Sequence, residues 1–264
     1  MLNFIWLLNK DTVSSMKNIV NVVLKRRVVL KYICQYKPDK RELVENLSDS
    51  RPTIDRAVRE LEDHNLVERV DGVCKPTYTG KTAYELCEEF RNSFQILKET
   101  SSELSSLPLD TDLDKSIFLD GSVFHPPDCA PYKSIQSLDE DIRNGEKIIA
   151  ATEMLTPHID EILKQDTNGE VDITLFVSND VLEVLLDNQP GSIIPHIESG
   201  DTVYRGIKVS RYNLFLIDAE ILYIGIYSDT NHLSTVIRNT NQQAIQWAKK
   251  SVSELEEEGT LLTA

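Results

Sequence analysis

Between Asp39 and Thr77 the sequence sets out a fixed order: a short capped helix, a polar turn, an arginine-bearing helix and a β-hairpin. Few folds accept that order in under forty residues. Asp39 caps the helix beginning at Lys40, with Glu42 three residues on as its capping-box partner. This helix runs to about Leu47 and turns Leu43, Val44 and Leu47 inward. Ser48-Asp49-Ser50 is a polar turn, and Ser50 caps the next helix, whose Pro52 falls in the first turn, where a missing N–H costs little. Ile54, Ala57, Val58 and Leu61 form one apolar stripe at helical spacing. Pro52, Arg56, Arg59 and Asp63 project opposite it, with Arg51 and Thr53 near the N-terminal edge. Leu66–Val70 and Val73–Thr77 then flank Asp71-Gly72, a strong hairpin signal because both turn positions tolerate φ > 0.

Two short helices, a tight turn and a following hairpin describe a helix-turn-helix with a wing. In that arrangement the second helix of the motif enters the major groove with its N-terminal residues against base edges. Arginine suits the task because its rigid fork matches the O6 and N7 acceptors of guanine, and a threonine methyl can meet that of thymine. Asp55, on the shoulder of the face, could orient Arg51 or Arg59 or accept from cytosine. Arg69 and Lys75, on or near the wing, would touch phosphates, which position a domain without reading sequence. Upstream, Ile19, Val23, Leu30, Ile33 and Cys34 predict one helix ending at Pro38. Downstream, Thr79-Gly80-Lys81 opens a helix carrying Ala83, Leu86, Cys87, Phe90, Phe94 and Leu97.

Residues 18–100, through Asp39-Lys40-Arg41-Glu42-Leu43, Ser50 to Glu62, Leu66-Val67-Glu68-Arg69 and Thr79-Gly80, resemble archaeal winged helix-turn-helix transcriptional regulators, frequent in haloarchaea and methanogens. The resemblance implies sequence-specific binding of double-stranded DNA, usually as a homodimer. It carries Ser50, Arg51, Thr53, Arg56 and Arg59 over as the recognition face; Lys40, Asp55, Arg69 and Lys75 complete the candidate contacts. Winged helices also serve as protein-interaction modules of the transcription machinery that never read bases, which is the alternative function.

Charge divides the chain. Residues 1–100 carry 17 Lys and Arg against 15 Asp and Glu, whereas residues 101–264 carry 11 against 28. The near-neutral front can approach a polyanion that the acidic rear would repel. The four cysteines, Cys34, Cys74, Cys87 and Cys129, contain no C-x-x-C pair, which argues for reduced thiols and a cytoplasmic setting. Leu2 to Leu8 is apolar but far short of the ~20 residues a bilayer needs, so no membrane association is expected. Residues 1–15 read as an extra arm or a stretch upstream of the true start, and residues 16–99 as the winged domain with its trailing helix. Residues 100–115, rich in Ser and Asp, read as a linker to an acidic domain at 116–264.

In that rear domain, strand patterns at Gly121–Phe124, Lys147–Ala151 and Asp172–Val177 alternate with helical ones at Ser134–Arg143, Thr156–Leu163, Val181–Leu186 and Gly191–Ser199. Consecutive strands follow at Thr202–Arg205, Leu214–Ile217, Ile221–Tyr227 and Leu233–Ile237, before a helix from Asn241. The fold class is therefore an α+β winged helix-turn-helix domain followed by an α/β domain with a mixed sheet. Ile148-Ile149-Ala150, Leu216-Ile217-Asp218 and Ala244-Ile245-Gln246-Trp247-Ala248 resemble the C-terminal domain of archaeal regulators related to a methanogenesis regulatory protein. That implies a regulatory domain that senses a small-molecule effector or pairs subunits.

Enzyme chemistry finds no foothold. Phospholipase-D-like sheets need H-x-K, but His125, His158, His196 and His232 are followed two residues on by Pro127, Asp160, Glu198 and Ser234. No Walker loop, G-x-G-x-x-G, H-E-x-x-H or G-x-S-x-G occurs, and the histidines lack metal-ligand spacing, so neither catalysis, cofactor nor metal is expected. Tyr204, Arg205, Arg211, Tyr223 and Tyr227, with Tyr212, are candidates to line a pocket for a small anionic effector.

Overall fold

The computed structural model describes residues 10–262 except 127–135, 157, 160–161, 164–170, 189, 200–201, 209–210 and 229–232. The apolar stretch Leu2–Leu8, Cys129 and His232 lie outside the described residues. The chain divides into two compact units, Met1–Arg91 and Asn92–Ala264.

The first unit contains α1 (Lys10–Lys25), α2 (Arg27–Tyr36), α3 (Lys40–Asn46), α4 (Arg51–Asp63), β1 (Val67–Val70), β2 (Val73–Pro76) and the start of α5 (Tyr78–Glu99). The single helix expected before Pro38 is two. It breaks at Arg26, inside the basic run where the apolar stripe skips, and the Arg26 side chain there is drawn to Glu60 of α4 at 2.7 Å. α2 stops at Lys37, whose left-handed φ of 50° turns the chain into buried Pro38. The capping box forms: Asp39 Oδ1 accepts from the Arg41 and Glu42 amides, and the Asp39 amide donates to Glu42. Such a cap contributes about 1 kcal/mol.

The α4 stripe is the centre of the core. Ile54, Val58 and Leu61 are fully buried with Leu30, Ile33, Leu43 and Leu66. Each such side chain contributes roughly 1.5–3 kcal/mol on burial. The hairpin turns at Asp71 and Gly72, both at positive φ (53° and 82°), and its strands pair in register from Val67 with Pro76 to Val70 with Val73. The Cys74 amide donates to the Pro38 carbonyl at 2.8 Å, which ties the wing to the α2–α3 loop.

The second unit is an eight-stranded mixed sheet. Its elements are α6 (Ser101–Ser105), a 3-10 turn (Lys115–Phe118), β3 (Ser122–Phe124), α7 (Gln136–Asn144), β4 (Lys147–Thr152), β5 (Asp172–Val177), α8 (Asn179–Asn188), α9 (Pro190–Ser199), β6 (Thr202–Arg205), β7 (Tyr212–Ile217), β8 (Ile221–Tyr227), β9 (Leu233–Asn239), α10 (Gln242–Glu258) and β10 (Thr260–Leu262). Strand order is β10-β6-β5-β4-β7-β8-β9-β3; β4, β5 and β6 run parallel and the remaining pairings are antiparallel. Two cores form because alternate strand residues point to opposite faces. Ile148, Ala150, Leu175 and Phe215 meet α7, α8 and α9 on one face; Ala151, Phe176, Leu214 and Ile224 meet α10 on the other.

Residues 100–115 are part of this second body. Thr100 is fully buried, its hydroxyl donating to the Ile96 carbonyl at 2.8 Å, and Leu104, Leu107 and Leu113 pack against the α10-side core. The serines and aspartates that suggest a linker alternate with leucines, and the leucines decide the outcome. β10 has no counterpart in the sequence reading; three residues after a helix carry too short a pattern to show.

Candidate nucleic-acid interface

The outer face of α4 is set by what lies beneath it. With Ile54, Ala57, Val58 and Leu61 buried, Arg51, Arg56 and Arg59 are exposed, and none of the three makes a hydrogen bond or ion pair among the described residues. Several neighbouring cations are otherwise occupied. Arg26 and Lys25 both reach Glu60 (2.7 and 3.1 Å), and Arg27 reaches Glu88 (3.2 Å). The hydrogen bond from Arg26 holds the Glu60 carboxyl down at about 2, with Lys25 adding to the effect. Three cations without a bonded partner thus lie on the side of α4 that the hydrophobic stripe turns outward, and exposed Lys31, Lys37 and Arg41 add others nearby.

Three of the nine candidate contacts are held in ion pairs: Arg69 with Glu62, and Lys40 with Asp55. Arg69 forms a two-pronged bond with Glu62, Nε to Oε1 and Nη2 to Oε2, each 3.0 Å. A forked guanidinium–carboxylate pair is the stronger kind of surface bridge, so Arg69 is less available to a phosphate than its place at the wing suggests. Lys40 sits 2.5 Å from Asp55 Oδ1, joining the start of α3 to α4. The Lys40 bond is the main cause that depresses the Asp55 carboxyl, and Arg51 and Arg59 depress it further. Lys75 stays half-exposed on β2, opposite Glu68 in the ladder.

Ser50 differs from its reading as a side-chain cap. It has the extended backbone of an N-cap, and its carbonyl accepts from Ile54, but its hydroxyl shares a 2.9 Å hydrogen bond with the Thr53 hydroxyl. That pairing holds both hydroxyls at the exposed start of α4. Lys40, Arg41, Val44, Glu45, Arg51 and Asp55 line a notch of about 160 Å³ between α3 and α4.

In the second unit, the proposed tyrosine–arginine pocket is not assembled. Tyr223 and Tyr227 belong to the core under α7 to α9, whereas Tyr204 and Tyr212 lie on the α10 side of the sheet. Parity within each strand is readable from sequence, but strand order decides which face each parity meets, and here it separates them. Tyr223 is fully buried; its hydroxyl donates to Asp141 at 2.6 Å and accepts from Arg238 at 3.0 Å. Burial first, then the Asp141 bond, pushes its phenol up to about 12. Tyr227 meets the Asn213 amide, and Tyr204 stacks on Phe176 with ring centres 4.8 Å apart. Arg211, at φ 60°, donates to the Ser106 carbonyl at 3.2 Å. Arg205 lines a cleft of about 610 Å³ with Asn179, Glu183 and Asp187.

The described histidines outside the motif have structural partners. His158 lies 3.0 Å from Asp139 and is buried, His196 lies 2.9 Å from the Leu163 carbonyl, and His125 lies 3.0 Å from the Thr235 hydroxyl. Among the described residues no three His, Cys, Asp or Glu side chains gather in a metal-holding group. Nor is any described helix long and apolar enough to cross a membrane.

Residues 18–98 match the family described as the HVO_A0261 N-terminal domain, and residues 131–258 match the family described as Methanogenesis regulatory protein FilR1, middle domain. No curated protein matches the chain significantly. Among solved structures, TrmBL2, described as an archaeal chromatin protein with a novel mode of DNA binding, is 14% identical with a TM-score of 0.43, over 92% of this chain and 98% of that one. A phospholipase D family member, Nuc from Salmonella typhimurium, is 9% identical (TM-score 0.39) over 55% of this chain and 99% of its own. An IclR transcriptional regulator from Alicyclobacillus acidocaldarius is 13% identical (TM-score 0.21) over 92% and 95%. At these TM-scores none of the three structures speaks to function.

Proposed function

We propose that this chain, an HVO_A0261-type N-terminal domain followed by a FilR1-type middle domain, is a transcriptional regulator that reads a DNA sequence through α4. The observation that carries the reading is the set of three exposed arginines on one helix of a winged motif, none of them held by a hydrogen bond or ion pair among the described residues, whereas Lys25, Arg26, Arg27 and Arg69 are paired with carboxylates. Arg56 and Arg59 address guanine edges, Arg51, Ser50 and Thr53 serve the N-terminal end of the helix, and Lys75 reaches a phosphate from the wing. The chain works as a cytoplasmic homodimer on a two-fold site, since paired half-sites call for paired domains. The acidic second unit senses an effector or holds the subunits together, and has no catalytic role.

Band shifts with genomic DNA fragments test this. The intact chain is expected to retain selected fragments over bulk DNA, and the double variant Arg56→Ala, Arg59→Ala to lose that selectivity while remaining folded. Equal selectivity in the double variant would overturn the assignment of the face. The near-neutral charge of the first hundred residues favours one second reading, a winged module that docks on a protein. Weak binding without sequence preference, abolished by moderate salt, would support it.

A further inference from the structure

We propose that Asp55, held by Lys40, makes the α4 face selective for bases that present an amino group in the major groove, cytosine or adenine. The inference rests on α4 being the base-reading helix and adds a specificity determinant to it. Asp55 lies one turn from Arg51 and one from Arg59, so all three share a stripe of α4, and its side chain is one-third exposed. Its carboxyl is depressed by Lys40, Arg51 and Arg59, and so is ionised and accepts hydrogen bonds only.

A bare carboxylate on this face would be repelled by the phosphates. Lys40 cancels that charge from the neighbouring helix by meeting Oδ1, and an ionised carboxylate keeps further lone pairs to accept from another donor. An acceptor fixed there takes the N4 amino group of cytosine or the N6 amino group of adenine. The keto oxygens of guanine and thymine offer it no proton. Lys40 is then a positioning residue acting through Asp55 rather than a phosphate contact of its own.

The test is selection from a randomised duplex pool with the full chain, wild type against Asp55→Asn, Lys40→Ala and their combination, each checked for thermal unfolding. The wild type is expected to enrich a motif with a position restricted to C or A, and Asp55→Asn, which can also donate, to relax that position about tenfold. Lys40→Ala should weaken binding to the selected duplex several-fold, and adding Asp55→Asn should restore most of the loss, since no carboxylate then needs neutralising. An unchanged motif with Asp55→Asn overturns the proposal, as do Lys40 and Asp55 losses that simply add. A wild type that enriches no motif overturns the base-reading premise instead, and Asp55→Asn decides the matter if Lys40→Ala fails to fold.

Discussion

The carbonyl oxygen of Leu66 lies 1.8 Å from the point where a β-carbon would stand on Gly80. The same carbonyl accepts from the Thr77 amide at 3.0 Å, and the Thr77 hydroxyl bonds both the Asn65 carbonyl and the Gly80 amide. These contacts pin the exit of the wing against its entrance, so the first turn of α5 can be packed there only without a side chain. Gly80→Ala must displace backbone rather than a flexible side-chain tip. A loss of about 3 kcal/mol or more is expected, read as a lower urea midpoint for the first unit.

Glu60 gives the first unit an acid-sensitive component. Its carboxyl falls from 4.5 to about 2 on folding, mainly through the Arg26 bond, so the native state prefers the ionised form. That contribution is present above the unfolded value and disappears as pH falls from 4.5 toward 2. In Glu60→Gln this part of the acid-side slope should be missing from stability measured across the window. Because the pair is near the surface, the cost at neutral pH should stay under about 1 kcal/mol.

The two wing cations should behave differently towards DNA. Lys75→Ala is expected to weaken binding across all sequences and to lower the slope of log affinity against log salt by about one. Arg69→Ala should change that slope less, because Glu62 already holds two of its three guanidinium nitrogens. Titrations at four or five salt concentrations separate the cases, and equal slope changes would contradict the role given to Glu62.

Tyr223 fastens α7 to the sheet rather than facing a ligand. Tyr223→Phe keeps the ring but removes a hydroxyl shared with Asp141 and Arg238, which remain 3.2 Å from each other. Roughly 1–2 kcal/mol of destabilisation is expected in denaturant titrations. A binding role would instead leave stability untouched.

Sequence alone determined what neighbours along the chain can settle. The α4 stripe, the Asp39–Glu42 capping box and the Asp71-Gly72 turn depend on residues within a few positions of one another, where helical and strand periodicities act directly. The mixed sheet and the winged order were legible for the same reason, as was the outward side of α4. Tertiary structure alone decided which charges meet. Lys40 with Asp55, Arg26 with Glu60 and Arg69 with Glu62 are brought together by how helices and wing pack, and that geometry leaves Arg51, Arg56 and Arg59 unpaired. The tyrosines of the second unit were separated by strand order, and the supposed linker was drawn into the core by its leucines. Local pattern fixes which way a side chain points from its own element, but what it meets there depends on partners distant in sequence.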